Sequence, residues 1–331
     1  MCIYIHYFVE LSQPQLNRYN VVEGKRVEGG ITVKKSIAII GVPMDLGQMR
    51  RGVDMGPSAI RYAGVVERLE NLNLEIEDLG DIEIGSADRN ANSENNLKNL
   101  KAVADANVLL ASKVDGVFRE GKFPLIFGGD HSIAIGSIAG VAKHFNNLGV
   151  IWYDAHGDLN TAETSPSGNI HGMSLAVSLG LGDQSLTSIG GYAPKIKPEN
   201  IVIIGARSLD EGERKLIKEK GIKVYTMHEI DRLGMTAVMD EAIHYLKERT
   251  DGVHLSLDLD GLDPHDAPGV GTPVNGGISY RESHLAMEML EESKLITSAE
   301  FVEVNPILDE RNKTAEVAVA LMGSLFGEKL L

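Results

Sequence analysis

Val150-Ile151-Trp152-Tyr153-Asp154-Ala155-His156-Gly157-Asp158 reads in two halves. Four large apolar residues come first, and an acidic, imidazole-bearing run follows at once. A continuous apolar run in mid-chain asks for burial on both faces, the habit of strands in parallel sheets. Three groups that carry or can carry charge then stand where such a strand ends. Outward from Val150–Asp154, seven more short runs share the pattern: Ser36–Val42, Glu75–Leu79, Phe123–Phe127, Ile201–Gly205, Ile222–Thr226, Val253–Asp258 and Ala299–Val304. Helical periodicity fills the intervals, at Pro57–Leu69, Asn96–Phe118, Ser132–Phe145, Glu211–Lys220, Thr236–Glu248, Tyr280–Glu291 and Thr314–Phe326. Strand–helix alternation specifies an α/β fold. The expectation is a single three-layer domain with a mostly parallel, about eight-stranded sheet flanked by helices.

The pattern begins near Ser36. Residues 1–34 hold a short apolar run, Cys2 to Val9, and then a polar, glycine-containing stretch. The basic start and small-residue cleavage site of a signal peptide are missing. The division expected is therefore a loosely ordered, dispensable extension over 1–34 and the α/β domain over 35–331. A valine initiator codon at Val33 would start the chain where the pattern starts.

Of 331 residues, 43% are apolar, enough for a large core, and no run approaches the ~18 apolar residues of a spanning helix, so no membrane partner is expected. The net charge of -15 speaks against nucleic acid, which wants a basic face. Cys2 is the single cysteine, so no disulfide forms within the chain, in keeping with a reducing, cytoplasmic setting.

Ligands of open α/β sheets bind beyond the carboxyl ends of the strands, and the unusual motifs all fall there. Gly128-Gly129-Asp130-His131 follows the Phe123–Phe127 run, its glycines allowing a tight turn. Asp154, His156 and Asp158 stand at alternate positions, which on a strand share one face. Asp258 and Asp260, in Leu255-Ser256-Leu257-Asp258-Leu259-Asp260-Gly261-Leu262-Asp263-Pro264, form a like-charged pair at another strand end. Two such carboxylates want either a shared proton or a metal, and the nearby imidazoles favour metal. Four carboxylates with two imidazoles exceed the needs of one ion and suit two bridged divalent ions, a hydrolytic centre. Oxygen-rich donors with imidazole suit Mn²⁺ or Fe²⁺. The glycine-rich run Gly269–Gly277 lacks the Lys-Ser/Thr ending of a phosphate loop.

These blocks resemble the signatures of the ureohydrolase family, most nearly its bacterial arginase branch, from about Ser36 to the C-terminus. The resemblance implies hydrolysis of L-arginine to L-ornithine and urea by a hydroxide bridging two Mn²⁺ ions per subunit. It implies His131, Asp154, Asp158 and Asp258 around one ion, and Asp154, His156, Asp258 and Asp260 around the other. Asp158 would also accept a hydrogen bond from the hydroxide. Glu303, in Phe301-Val302-Glu303-Val304-Asn305-Pro306, would pair with the substrate guanidinium, and His171 would shuttle a proton to the leaving amine. Asn160, Ser165, Ser167 and Asn169 resemble the group that receives the α-carboxylate, and Asp210 and Glu213 the α-amine site; Thr272 is a further substrate contact by the same resemblance. Ser165 stands where many arginases have Thr, with the hydroxyl kept. The run Arg50–Pro57 resembles a family loop near the pocket mouth. His144, His228, His254 and His284 have no ligand partner in view, while His265 sits where it could rim the site. The family commonly forms homo-trimers or homo-hexamers. Agmatinase is the alternative, separated only by contacts to the substrate tail; a metal-binding protein without activity is disfavoured because no expected ligand is missing.

Overall fold

The computed structural model describes residues 36–85 and 96–331. The expectation of a loosely ordered 1–34 and the start at Val33 lie outside the described residues, as does Cys2. Eight strands form one sheet: β1 Ser36–Val42, β2 Glu75–Asp81, β3 Phe123–Gly128, β4 Leu148–Tyr153, β5 Ile201–Ala206, β6 Lys223–Thr226, β7 Gly252–Asp258 and β8 Ile296–Val302. Their order is β2-β1-β3-β8-β7-β4-β5-β6. Every neighbouring pair is parallel, so the sheet is wholly rather than mostly parallel.

The helices are α1 Gly56–Tyr62, α2 Val65–Glu70, α3 Leu100–Arg119, α4 Ala134–Val141, α5 Ser174–Ser178, α6 Gln184–Thr187, α7 Glu211–Lys220, α8 Met227–Leu233, α9 Met235–Lys247, α10 Tyr280–Ser293 and α11 Lys313–Leu325. Two cores separate them. Ile37, Ile39, Leu125, Phe127, Leu255 and Leu257 face one way, toward Ile60, Leu69, Met239, Met287 and Leu321 of α1, α2, α9, α10 and α11. Ala38, Ile40, Ile126, Val150 and Trp152 face the other way, toward Leu110, Ile138, Leu175 and Leu186 of α3 to α6. The alternation within β1 is the pleat acting on a run that is apolar throughout.

Sequence reading and structure differ where local chemistry breaks a run. Pro57–Leu69 is two helices, because Gly64 takes φ 85 between them. The helix expected from Asn96 begins at Leu100, since Asn96 and Asn99 are both left-handed, at φ 61 and 53. Ser132–Phe145 is α-helical only over α4, with single 3₁₀ turns on either side. β2 is not an apolar run but an exposed edge, carrying Asp78 and Asp81 in ion pairs with Arg61 at 2.7 and 2.5 Å. Charge along an edge strand blocks pairing with another chain.

Candidate metal centre and substrate cavity

Of the four central strands of the sheet, β7 ends in Asp258, and β3, β8 and β4 run within three residues into His131, Glu303 and Asp154. After β3 the chain doubles back against Met44 so closely that a Cβ on Gly129 would lie 1.8 Å from the Met44 carbonyl oxygen. Glycine is therefore required there. Asp130 then caps a 3₁₀ turn by accepting from Ser132 N, and it also accepts from Gly47 N at 2.8 Å. His131 follows in that turn, its ring stacked on Trp152 with centroids 4.1 Å apart.

The other ligands converge, though not through strand pleat. β4 ends at Tyr153, so Asp154, His156 and Asp158 lie in a turn. Asp154 Oδ1 accepts from His156 N at 2.7 Å, and Asp158 comes back toward the site through a left-handed backbone at φ 48. Asp258 caps the turn Leu259–Gly261 through Oδ1, which accepts from Asp260 N at 2.8 Å. The oxygens left free point inward. His131 Nδ1 stands 3.1 Å from each of Asp154, Asp158 and Asp258. His156 Nδ1 stands 3.4 Å from Asp154 and 3.2 Å from Asp260. Two groups able to hold an ion result: His131, Asp154, Asp258 and Asp154, His156, Asp260. Asp154 belongs to both; Asp258 belongs to the first.

Buried His131 Nδ1 and Asp154 Oδ2 lack hydrogen-bond partners. Unpartnered atoms that can each offer a lone pair to one point are what a cation's ligands look like without the cation. The electrostatics agree. Burial, then the charges of Asp260 and Asp154, push the Asp258 carboxyl well above its ordinary range. Asp158 and Asp260 are raised too, chiefly by burial. Burial opposes the charged form of His131, but its three carboxylates outweigh that and hold a proton on it. Without metal, protons take up the charge that divalent ions would neutralise. The donor set fits two such ions.

A cavity of about 150 Å³ opens beside the cluster, walled by His156, Asp158, Asp258, Asp260 and the expected Asn160, Ser165, Ser167, Asn169, His171, Asp210, Glu213 and Thr272. Gln48, Met49 and Arg50 line a second cavity of about 480 Å³ that shares His156, Asn169, His171 and Thr272 with the first. Ser165 Oγ accepts from Gly168 N and Ser167 Oγ from Asn169 N, and each hydroxyl still has its own proton to donate. Asp210 caps α7 and accepts from Asn160 Nδ2 at 2.8 Å. Glu213 is occupied: its oxygens accept from Leu159 N at 3.0 Å and Asp210 N at 2.8 Å. It sets the position of Asp210 rather than offering a free carboxylate. Burial, with Asp158 and Asp210 near, pushes it up to about 7. Thr272 donates to Asp260 Oδ2 at 2.8 Å, tying the cavity wall to the cluster.

Glu303 is wholly buried behind that wall, in a left-handed backbone at φ 66. Its carboxylate accepts from His131 N at 3.0 Å and Gln48 Nε2 at 2.8 Å, and lies 3.1 Å from His171 Nδ1. Burial opposes the charged form of His171, but the Glu303 bond and charge prevail and push the imidazole up to about 9. His265 is exposed and does not reach the cavity. Sequence reasoning passed over Asp130, Gln48 and Arg207. Arg207 donates to the carbonyls of Gly205, Asp260, Gly261, Leu262 and Val274, gathering three loops around the site. The only sequence signal for it was its place just past the β5 strand.

The comparisons agree with this geometry. The family model described as "Arginase family" matches residues 35–327. An arginase of Bacillus caldovelox is 76% identical over 298 residues, 90% of this chain and 100% of that one. Its solved structure covers the same shares with a TM-score of 0.88. An arginase of Bacillus subtilis is 70% identical, over 90% of this chain and 99% of its own. The Entamoeba histolytica arginase solved with L-ornithine is 36% identical, with a TM-score of 0.83 over 89% of this chain and 99% of that one. The chain belongs to the arginase family.

Proposed function

We infer that the protein hydrolyses L-arginine to L-ornithine and urea with two Mn²⁺ ions per subunit, which His131, Asp154, His156, Asp158, Asp258 and Asp260 would hold. The observation that carries the substrate reading is the make-up of the cavity wall, which holds the Ser165 and Ser167 hydroxyls and Asn169 together with the Asp210 carboxylate. That is a receptor for a carboxylate beside a receptor for an ammonium, the two groups on an α-amino acid. The divalent pair, when bound, supplies an acidified water as nucleophile near neutral pH.

The chain's own residues do the rest. Asp158, buried beside His131, would accept a hydrogen bond from the nucleophile and orient it toward the guanidinium carbon. Glu303 provides the counter-charge to the guanidinium once Gln48 or His171 yields an oxygen. His171 carries its proton at neutral pH, as its pairing with Glu303 requires, and delivers it to the ornithine nitrogen as the carbon–nitrogen bond breaks. Thr272 keeps Asp260 turned toward His156.

Agmatine shares the guanidinium and keeps the amine but lacks the α-carboxylate. A site built to hydrogen-bond a charged group rejects the analogue without it by ~10⁴ or more. The test is the ratio of kcat/KM for arginine and agmatine on Mn²⁺-loaded enzyme. A ratio near one, or in favour of agmatine, removes the arginine reading and keeps the hydrolytic chemistry. The reading includes a homo-trimer or homo-hexamer in the cytoplasm, which sedimentation and cell fractionation check. Among the described residues no helix is long and apolar enough to cross a membrane.

A further inference from the structure

The His131 ring has a second nitrogen, and behind it lies a buried polar cluster that no step of the reaction uses. Nε2 is 2.7 Å from Ser256 Oγ. Ser256 donates to Glu300 Oε1 at 2.7 Å, and Ser137 donates to Glu300 Oε2 at 2.6 Å. His254 Nε2 stands 3.3 Å from Glu300 Oε1, while its Nδ1 faces Ser298 Oγ at 2.9 Å. Glu300, Ser256, Ser137, His254 and Ser298 are all 0% exposed. Among the described residues no lysine or arginine pairs with Glu300.

We propose that Glu300 is a positioning residue, acting through Ser256 to fix the His131 ring and strengthen its Nδ1 as a metal donor. The proposal rests on the reading of His131 as a metal ligand. The direction of each bond follows from proton counting. A carboxylate accepts only, so the single Ser256 proton goes to Glu300. Ser256 Oγ then offers a lone pair to His131, whose Nε2 must be the donor. Nδ1 becomes the nitrogen that exchanges its proton for a cation. The negative charge two hydrogen bonds behind the ring draws on the Nε2 proton and raises the basicity of Nδ1.

A buried carboxylate is a poor choice for stability alone. Well-packed apolar residues of similar size commonly serve as well or better. The two β8 neighbours of Glu300, Ala299 and Phe301, are apolar and fully buried. Glu300 nonetheless stays ionised: burial pushes its carboxyl up, but His254 and the hydroxyl bonds hold it below the usual range. His156 differs, with a side chain 24% exposed and, among the described residues, no hydroxyl and carboxylate in series behind it. The effect of Glu300 therefore belongs to the His131 ion and not to the His156 ion.

The experiment strips the full-length protein of metal by chelation and titrates Mn²⁺ back, reading free Mn²⁺ by its electron paramagnetic resonance signal. Glu300→Gln keeps the shape and removes the charge. One of the two equivalents bound by the parent should weaken by roughly 10–100-fold, the usual effect of losing an outer partner of a ligating histidine, with the other unmoved. Ser256→Ala should do the same, and Ser256→Thr, which keeps the hydroxyl, should restore it. The metal-free melting temperature checks that the variants fold. Two equivalents bound as in the parent by Glu300→Gln, beside a loss of one by His131→Ala, overturn the relay alone. Equal weakening of both equivalents together with a large drop in metal-free melting temperature overturns it too, as a core defect. His131→Ala binding both equivalents normally overturns the ligand reading and the relay with it.

Discussion

Asp210→Asn separates recognition of the amino-acid end of the substrate from chemistry at the metals. The asparagine is chosen from the geometry. Asp210 caps α7 and accepts from Asn160, and alanine would lose the cap at about 0.5–2 kcal/mol of stability. Asparagine is an equally good cap and still accepts from Asn160 through its amide oxygen, so the fold and the cavity wall persist. What disappears is the negative charge facing the α-ammonium. A charge-assisted hydrogen bond is worth roughly 1.5–3 kcal/mol and a neutral one roughly 0.5–1.5, so the net loss is about 1–2 kcal/mol. That predicts a fall in kcat/KM for arginine of roughly 5–30-fold. 5-Guanidinopentanoate, which is arginine without its α-amine, has no ammonium to meet Asp210, so its slow turnover should change by less than about twofold. The assay is urea release from each substrate on parent and variant enzyme at equal metal loading. An equal fall for both substrates would show that Asp210 acts on the site as a whole. No fall for arginine would place its amine elsewhere.

Other perturbations probe the remaining parts. Chelation should abolish urea release and lower the melting temperature, and Mn²⁺ should restore both; at 100 times its Kd a single ion contributes about 2.7 kcal/mol. Full turnover with no metal by elemental analysis rules the centre out. Asp158→Asn should stay folded and lose most of its rate, and near-parent activity would remove Asp158 from the chemistry. Gly129→Ala, forced against Met44 O, should unfold the protein or cost more than ~3 kcal/mol; a parent-like denaturant midpoint would contradict the close approach. His171 links stability to pH. Its ordinary value of 6.5 rises to about 9 in the metal-free fold beside Glu303. Its stabilisation is therefore full below pH 6.5 and lost as pH rises through 9, about 3 kcal/mol in all. Urea melts of metal-free protein at pH 6 and pH 10 should show that loss, and His171→Asn should remove it.

The fold was legible because burial wrote it into the chain. A central strand of a parallel sheet is covered on both faces, so Val150–Tyr153 and Phe123–Phe127 carry no polar interruption. The edge strand β2 is the instructive exception: it was grouped with the buried apolar runs although Glu75-Ile76-Glu77 alternates, and its exposure was not foreseen. Short helices α5, α6 and α8 were not foreseen, since one or two turns give too few periods to count. The break at Gly64 and the late start of α3 turn on single left-handed residues that a periodic pattern does not register.

The site was legible in a different way. The six ligand-type residues were visible because charge at the end of an apolar run is anomalous, yet the reason they meet was misjudged. Pleat does not bring Asp154, His156 and Asp158 together, because the strand has already ended; the turn and the left-handed Asp158 do. Short-range spacing thus marked the right residues while backbone torsion, absent from any spacing rule, did the gathering. Partnership across the sheet was harder still. Gln48 meets Glu303 over 255 positions and Ser137 meets Glu300 over 163, and nothing local distinguishes these side chains from any other polar residue. Glu213 carries a second signal beside its expected place at the α-amine site. Its position three residues after a capping Asp210 is the signature of a capping box. The structure gives both oxygens to backbone N–H groups. A carboxylate whose oxygens both accept from the main chain holds a site in place, while Asp210, which caps α7 and accepts from Asn160, borders the cavity where a substrate would meet it.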